Sequence, residues 1–84
     1  MKNNLNEKTY KTADFPIAIF LLANDFKLLD IDRSNPPRAS FIFEDKPIRQ
    51  TLIEKFWADE PVVGCKKLLQ SQRELKQRLY GENT

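Results

Sequence analysis

Alternating hydrophobic and polar residues in two neighbouring stretches of the chain predict a β-hairpin. In residues 26–33, Leu29 and Ile31 fall on one face of a strand. The stretch that follows a proline-containing loop alternates again, and pairing the two places Ile31 opposite Phe41 and Leu29 opposite Phe43. A slip of one residue would turn acidic side chains into the core, so we expect a well-specified register.

Three further stretches have the composition of helices. The first begins at Asp14 as its N-cap, with Pro16 in the first turn. It is apolar on nearly every side, which is typical of a helix buried between other elements. The second helix has Asp45 as its predicted N-cap and a core stripe that ends at Trp57. The third is predicted over residues 65–80.

These elements predict a small α+β domain with the order α-β-β-α-α, in which helices cover an antiparallel hairpin. We expect a flexible arm at residues 1–8, a single domain at residues 9–81 and a tail at residues 82–84. A hairpin alone is only marginally stable, so it should gain another strand. Residues 9–11, residues 62–63 and a second copy of the protein are the candidates for that strand.

The composition argues against most kinds of catalytic site. The 84 residues include one cysteine and no histidine. Zinc sites with the usual ligands and catalytic Ser-His-Asp or Cys-His groups therefore cannot be assembled. We expect a protein that is not an enzyme and that carries no cofactor. Cys65, which lacks a partner thiol, is expected to be buried and structural.

A divalent metal is the less favoured interpretation of three acidic residues on the hairpin. Asp30 and Asp32 point the same way from one strand, and Glu44 lies on the next. A solvated sheet face explains the same residues, so no metal is predicted. The longest apolar run, residues 15–23, is far shorter than a membrane helix, and we expect a cytoplasmic protein.

Positive charge is concentrated in the last helix, although the whole chain has a net charge of only +2. Its basic residues are Lys66, Lys67, Arg73, Lys76 and Arg78, and Glu74 is its only acidic residue. Such a stripe would neutralise phosphates, which favours an accessory role in nucleic-acid binding. An ordinary solvated helix face is the simpler interpretation of the same charges.

A protein-interaction or homodimerisation module is the alternative function. It would use the edge of the hairpin and the single tryptophan, with Trp57, Ile42 and Leu28 as the contact residues. The competing interpretation of Trp57 is structural, because a large aromatic residue at a helix end commonly closes the core where two helices meet.

Several short segments occur in an order that resembles a known family. They are Thr12 and Asp14, AIFLLANDFKLLDI, FIFED, EKFW and LKQRLYG. Together they resemble a family of small domains of unknown function from bacteria and phages, over about residues 9–81. The family resemblance implies glycine where the first helix ends, whereas this chain has Asp25. It implies no catalytic residues.

Overall fold

The computed structural model describes residues 8–35, 37–60 and 63–81. Its elements, in chain order, are β1 (Thr9–Thr12), α1 (Phe15–Ala23), β2 (Leu28–Asn35), β3 (Arg38–Glu44), α2 (Arg49–Trp57) and α3 (Cys65–Tyr80). The predicted α+β class is confirmed, but the predicted order lacked β1. Most of the predicted arm, the predicted tail and Val62 lie outside the described residues.

Within the described residues, the sheet has three antiparallel strands in the order β1-β3-β2, so β3 is central. The β1 strand pairs with β3 from Thr9 opposite Glu44 to Thr12 opposite Phe41. The extra strand that the hairpin requires therefore comes from the N-terminal candidate, residues 9–11. Hydrogen bonds on both sides of β3 explain how so short a sheet is stable.

The register of β2 against β3 is partly as predicted. Ile31 lies opposite Phe41, which confirms that pair, but Phe43 lies opposite Leu28 and not Leu29. An irregularity between Leu28 and Asp30 leaves Leu29 as an extra residue, as in a β-bulge. Leu28 is therefore buried, whereas Leu29 is 46% exposed, so the predicted inward position of Leu29 is wrong.

The α1 helix lies at the centre of the protein and contacts α2, α3 and β1. The Asp14 side chain accepts a hydrogen bond from the Ile17 N–H, and a proline lies in the first turn, so the predicted N-cap is confirmed. Six of the nine residues in α1 are buried, as expected of a helix enclosed by other elements. Among the described residues, no helix is both long and apolar enough to span a bilayer.

The turn after α1 explains the position where the family resemblance implies glycine. Asn24 is the C-cap, and its side-chain amide donates to the Phe20 carbonyl. Asp25 then has a φ of 69°. This left-handed backbone conformation favours glycine and is tolerated by aspartate.

The start of α2 differs from the prediction. Asp45 does not cap the helix, because α2 begins at Arg49 and its N-cap, Ile48, makes no side-chain capping bond. The Asp45 carboxylate instead accepts hydrogen bonds from the Lys46 N–H and the Arg49 guanidinium. Asp45 therefore anchors the turn that precedes the helix.

The end of α2 also differs from the prediction. Phe56 packs on Phe20 of α1, with 5.3 Å between ring centroids. Trp57 packs edge-on against Phe56 but is 67% exposed. The prediction that Trp57 closes the core is therefore wrong, and Phe56 joins α2 to α1.

Candidate nucleic-acid interface

The α3 helix attaches to the rest of the protein through one narrow face. Ser71 and Leu75 are its buried residues, and Leu68 and Leu79 are half-buried against the core. The α3 helix contacts α1, and the small side chain of Ser71 adds little bulk to its buried face. Cys65 is exposed, which corrects the prediction of a buried cysteine.

The opposite face of α3 carries three basic residues and two large apolar or aromatic residues. We call it the outer face; its residues are Lys66, Leu69, Arg73, Lys76 and Tyr80. Their spacing of three and four residues places them on one side of a helix, over a length of about 21 Å. All five are exposed, with Leu69 at 58% and Tyr80 at 63%.

Lys67 is separated from the outer face and is held in an ion pair. Its ammonium lies 3.0 Å from the Asp25 carboxylate, in the turn after α1. Lys46 reinforces the same turn, because its ammonium donates to the Asp25 carbonyl and lies over the Phe26 ring. Lys67 therefore links the first turn of α3 to the turn between α1 and β2.

Arg78 also lies away from the outer face. It shares a flank of α3 with Lys67 and Ser71, from which it is separated by eleven and seven residues, and it is half-buried. Its carbonyl accepts a hydrogen bond from the Arg33 guanidinium. The structure thus brings together Lys66, Arg73 and Lys76 and leaves Lys67 and Arg78 on another side.

None of the three basic residues on the outer face forms an ion pair with another described residue. The described ion pairs join Lys11 to Asp32, Arg49 to Asp45 and Lys67 to Asp25. Glu74, the acidic residue of α3, lies on the flank of Lys67. The outer face therefore has a positive charge that no neighbouring carboxylate in the described chain neutralises.

Two carboxylates elsewhere have lowered pKa values. Hydrogen bonds from the Lys11 ammonium and from Ser34 hold the pKa of Asp32 well below its ordinary value. Burial raises the pKa of Asp45, but hydrogen bonds from Arg49 and the Lys46 N–H outweigh it and leave that pKa lowered. Both groups are ionised at neutral pH, which makes them poor general acids.

One face of the sheet does not pack against the core, and we call it the open face. Its acidic residues do not form a metal-binding cluster. Asp32 is paired with Lys11, and the Asp30 carboxylate accepts a hydrogen bond from the Ile31 N–H. Within residues 8–35, 37–60 and 63–81, no group of three or more potential ligands lies close enough together to hold a metal ion.

The three residues predicted for a protein interface do not share a surface. Leu28 is 4% exposed and belongs to the core, so its assignment to an interface is wrong. Ile42 is half-buried on the open face of the sheet, because it lies between the buried residues Phe41 and Phe43. Trp57 is exposed at the end of α2, in the layer of helices.

Leu69 and Tyr80 belong to the outer face but were not among the predicted site residues, because that prediction considered only the basic residues of α3. The spacing of three and four residues that joins 66, 69, 73, 76 and 80 is visible in the sequence and is the signal that could have found both. A shallow hollow of about 320 Å³ also lies on this side of the helix, and Leu69, Gln72, Arg73 and Lys76 line it.

Comparison with known proteins identifies a family and nothing narrower. No curated protein and no solved structure matches the chain. A family model described as a domain of unknown function, DUF5659, matches residues 7–81, which is most of the chain. The chain therefore belongs to the DUF5659 family of domains of unknown function.

Proposed function

We propose that the protein is a cytoplasmic, non-catalytic binding module that contacts nucleic acid through the outer face of α3. The observation that carries this proposal is the grouping of Lys66, Arg73 and Lys76 on one exposed face without a carboxylate partner in the described chain. Unpaired cations in a row can neutralise successive phosphates and release the ions bound to them.

The spacing along the helix suits a phosphate backbone. Lys66 and Arg73 are about 10 Å apart along the helix axis, and Arg73 and Lys76 about 5 Å. Tyr80 extends the same face with an exposed ring on which a base can stack, and the hollow beside Leu69 offers an apolar contact. This combination favours single-stranded nucleic acid with little sequence preference.

Replacing the three cations together should weaken binding and its dependence on salt. For the K66Q/R73Q/K76Q variant, we expect affinity for a labelled single strand of about 16 nucleotides to fall at least about tenfold at about 50 mM salt. The slope of log affinity against log salt should become shallower by about 2–3, since up to three phosphate contacts are lost. Fluorescence anisotropy with DNA and RNA, single-stranded and duplex, measures both quantities.

A matched control variant removes three positive charges from residues outside α3. Lys8, Lys27 and Lys55 are exposed and lie outside α3, so K8Q/K27Q/K55Q has the same net charge as the test variant. It should retain most of the affinity. An equal loss in both variants would mean that overall charge drives binding, and absence of binding at low salt would also overturn the proposal.

A second candidate function is homodimerisation through Trp57. The observation that favours it is that Trp57 is 67% exposed, while its ring packs against Phe56 at the end of α2. Tryptophans in such positions commonly anchor interfaces. We expect Trp57→Ala to weaken self-association in sedimentation equilibrium, whereas Leu29→Ala, at an exposed site on the sheet, should leave it unchanged. A wild-type protein that stays monomeric at high micromolar concentration would exclude this function.

A further inference from the structure

A second concave site lies at the end of the sheet, outside the face assigned to nucleic acid. It is a cleft of about 450 Å³ between the start of α1, the start of β3 and the end of α3. Its volume is within the range of small-molecule sites, about 300–1,000 Å³.

The floor of the cleft is aromatic. Phe15 and Phe41 pack with 5.8 Å between ring centroids and an interplanar angle of 52°. Phe41 is buried, while Phe15 and Ala39 are half-buried, and all three line the cleft. The short side chain of Ala39 leaves room above the rings, and Tyr80 forms part of the wall. A flat apolar ring fits such a surface.

One arginine of the cleft serves the fold. The Arg33 guanidinium donates hydrogen bonds to the carbonyls of Arg78 and Leu79, at 3.2 and 2.8 Å. The C-terminal end of a helix carries partial negative charge, which would repel an anion. Because Arg33 binds the last carbonyls of α3, it offsets that charge at the edge of the cleft.

The other arginine that lines the cleft is Arg38. Arg38 begins β3, is exposed and lines the cleft, and its guanidinium has no hydrogen bond or ion pair with any other described residue. Among the described residues, the lining of the cleft includes both arginines and no acidic residue. A guanidinium beside an apolar floor can bind a carboxylate or a phosphate through two parallel hydrogen bonds.

We propose that this cleft binds a small molecule that consists of a flat ring and one anionic group. The ring lies over Phe15 and Phe41, and the anion pairs with Arg38. The proposal does not depend on nucleic-acid binding by the outer face. Tyr80 lies at the border of both sites, so the test uses Arg38 and Ala39, which do not belong to α3.

The test is a titration of the ¹⁵N-labelled protein followed by NMR, with two pairs of probes. Indole-3-acetate and adenosine 5′-monophosphate carry the anion as carboxylate or phosphate, and indole-3-acetamide and adenosine are their neutral counterparts. We expect at least one anionic probe to shift the amide signals of Arg38, Ala39 and Phe15, and its neutral counterpart to bind about tenfold more weakly. The pair of probes that shows this difference identifies whether the anionic group is a carboxylate or a phosphate.

Variants distinguish binding in the cleft from nonspecific attraction of anions to positive charge elsewhere on the protein. Arg38→Gln should weaken binding about tenfold, and Arg38→Lys should restore part of it. Ala39→Leu, which fills the cleft, should abolish binding, provided that its amide spectrum shows the native fold. The K55Q and K66Q/R73Q/K76Q variants should bind like the wild type.

Any one of three results with the probes or with Arg38→Gln would overturn the proposal, and so would a fourth result with the K66Q/R73Q/K76Q variant. The three are equal binding of anionic and neutral probes, unchanged binding by Arg38→Gln, and no binding by any probe at millimolar concentration. If the K66Q/R73Q/K76Q variant alone lost the ligand, the anion would lie on the outer face and the cleft proposal would also fail.

Discussion

The Phe43→Ala variant is expected to lose about 3–5 kcal/mol of its free energy of unfolding. Phe43 is fully buried on the central strand, opposite Tyr10 of β1 and Leu28 of β2. Removing the ring leaves a cavity that both neighbouring strands border. A chain of 84 residues has a total stability of about 4–13 kcal/mol, so this one change removes a large fraction of it. Urea denaturation followed by circular dichroism measures the loss.

Ile42→Ala is the control for this experiment. It removes a hydrophobic side chain from the adjacent residue of the same strand, but Ile42 is only half-buried on the open face. We expect it to cost about 1 kcal/mol. Comparable losses in the two variants would contradict a core that lies on one side of the sheet.

The second large effect distinguishes two adjacent leucines. Leu28→Ala should destabilise the protein by about 2–5 kcal/mol, because Leu28 is 4% exposed and packs in the core. Leu29→Ala removes the same atoms from a side chain that is 46% exposed and should cost less than about 1 kcal/mol. Thermal and urea unfolding of both variants provides the comparison.

This pair of variants tests the irregularity in β2 directly. Strict alternation through Ile31 would place Leu29 in the core and Leu28 outside. A larger loss from Leu29→Ala than from Leu28→Ala would therefore mean that the strand is regular. A larger loss of stability from Leu28→Ala than from Leu29→Ala requires the extra residue between Leu28 and Asp30.

Local chemistry made several features predictable from the sequence. Asp14 followed by Pro16 defines the start of α1, and the structure has both in the predicted positions. The boundaries of α3, Cys65 and Tyr80, also agree with the prediction. These features depend on residues close together in the chain, where capping and helical periodicity are strong signals.

The position of Leu29 could not be inferred from alternation alone. Leu28 and Leu29 are chemically identical, so the prediction depended on counting back from Ile31. Buried Phe26 and Leu28 are in phase with each other but out of phase with Ile31. The structure accommodates that change of phase with the irregularity between Leu28 and Asp30.

The errors in α2 and in the site have a common physical origin. Asp45 has a suitable side chain for an N-cap, but Arg49 lies within hydrogen-bonding distance and competes for it. Trp57 is large and apolar, yet Phe56 alone fills the space against Phe20. Lys67 is paired with Asp25, which is 42 residues away in the chain. All three outcomes depend on side-chain contacts in the folded chain, which are local for Asp45 and tertiary for the other two, and composition does not record them.

We expect the N-terminal strand to protect the protein from aggregation. In the part of the chain that the structure describes, only the four residues of β1 cover one edge of the central strand. If they were removed, the hydrogen-bonding groups of β3 between Phe41 and Glu44 would face solvent beside a hydrophobic core. An uncovered strand of this kind recruits strands from other molecules. Proteolysis within Thr9–Thr12 would therefore convert a self-contained sheet into a template for intermolecular β-pairing.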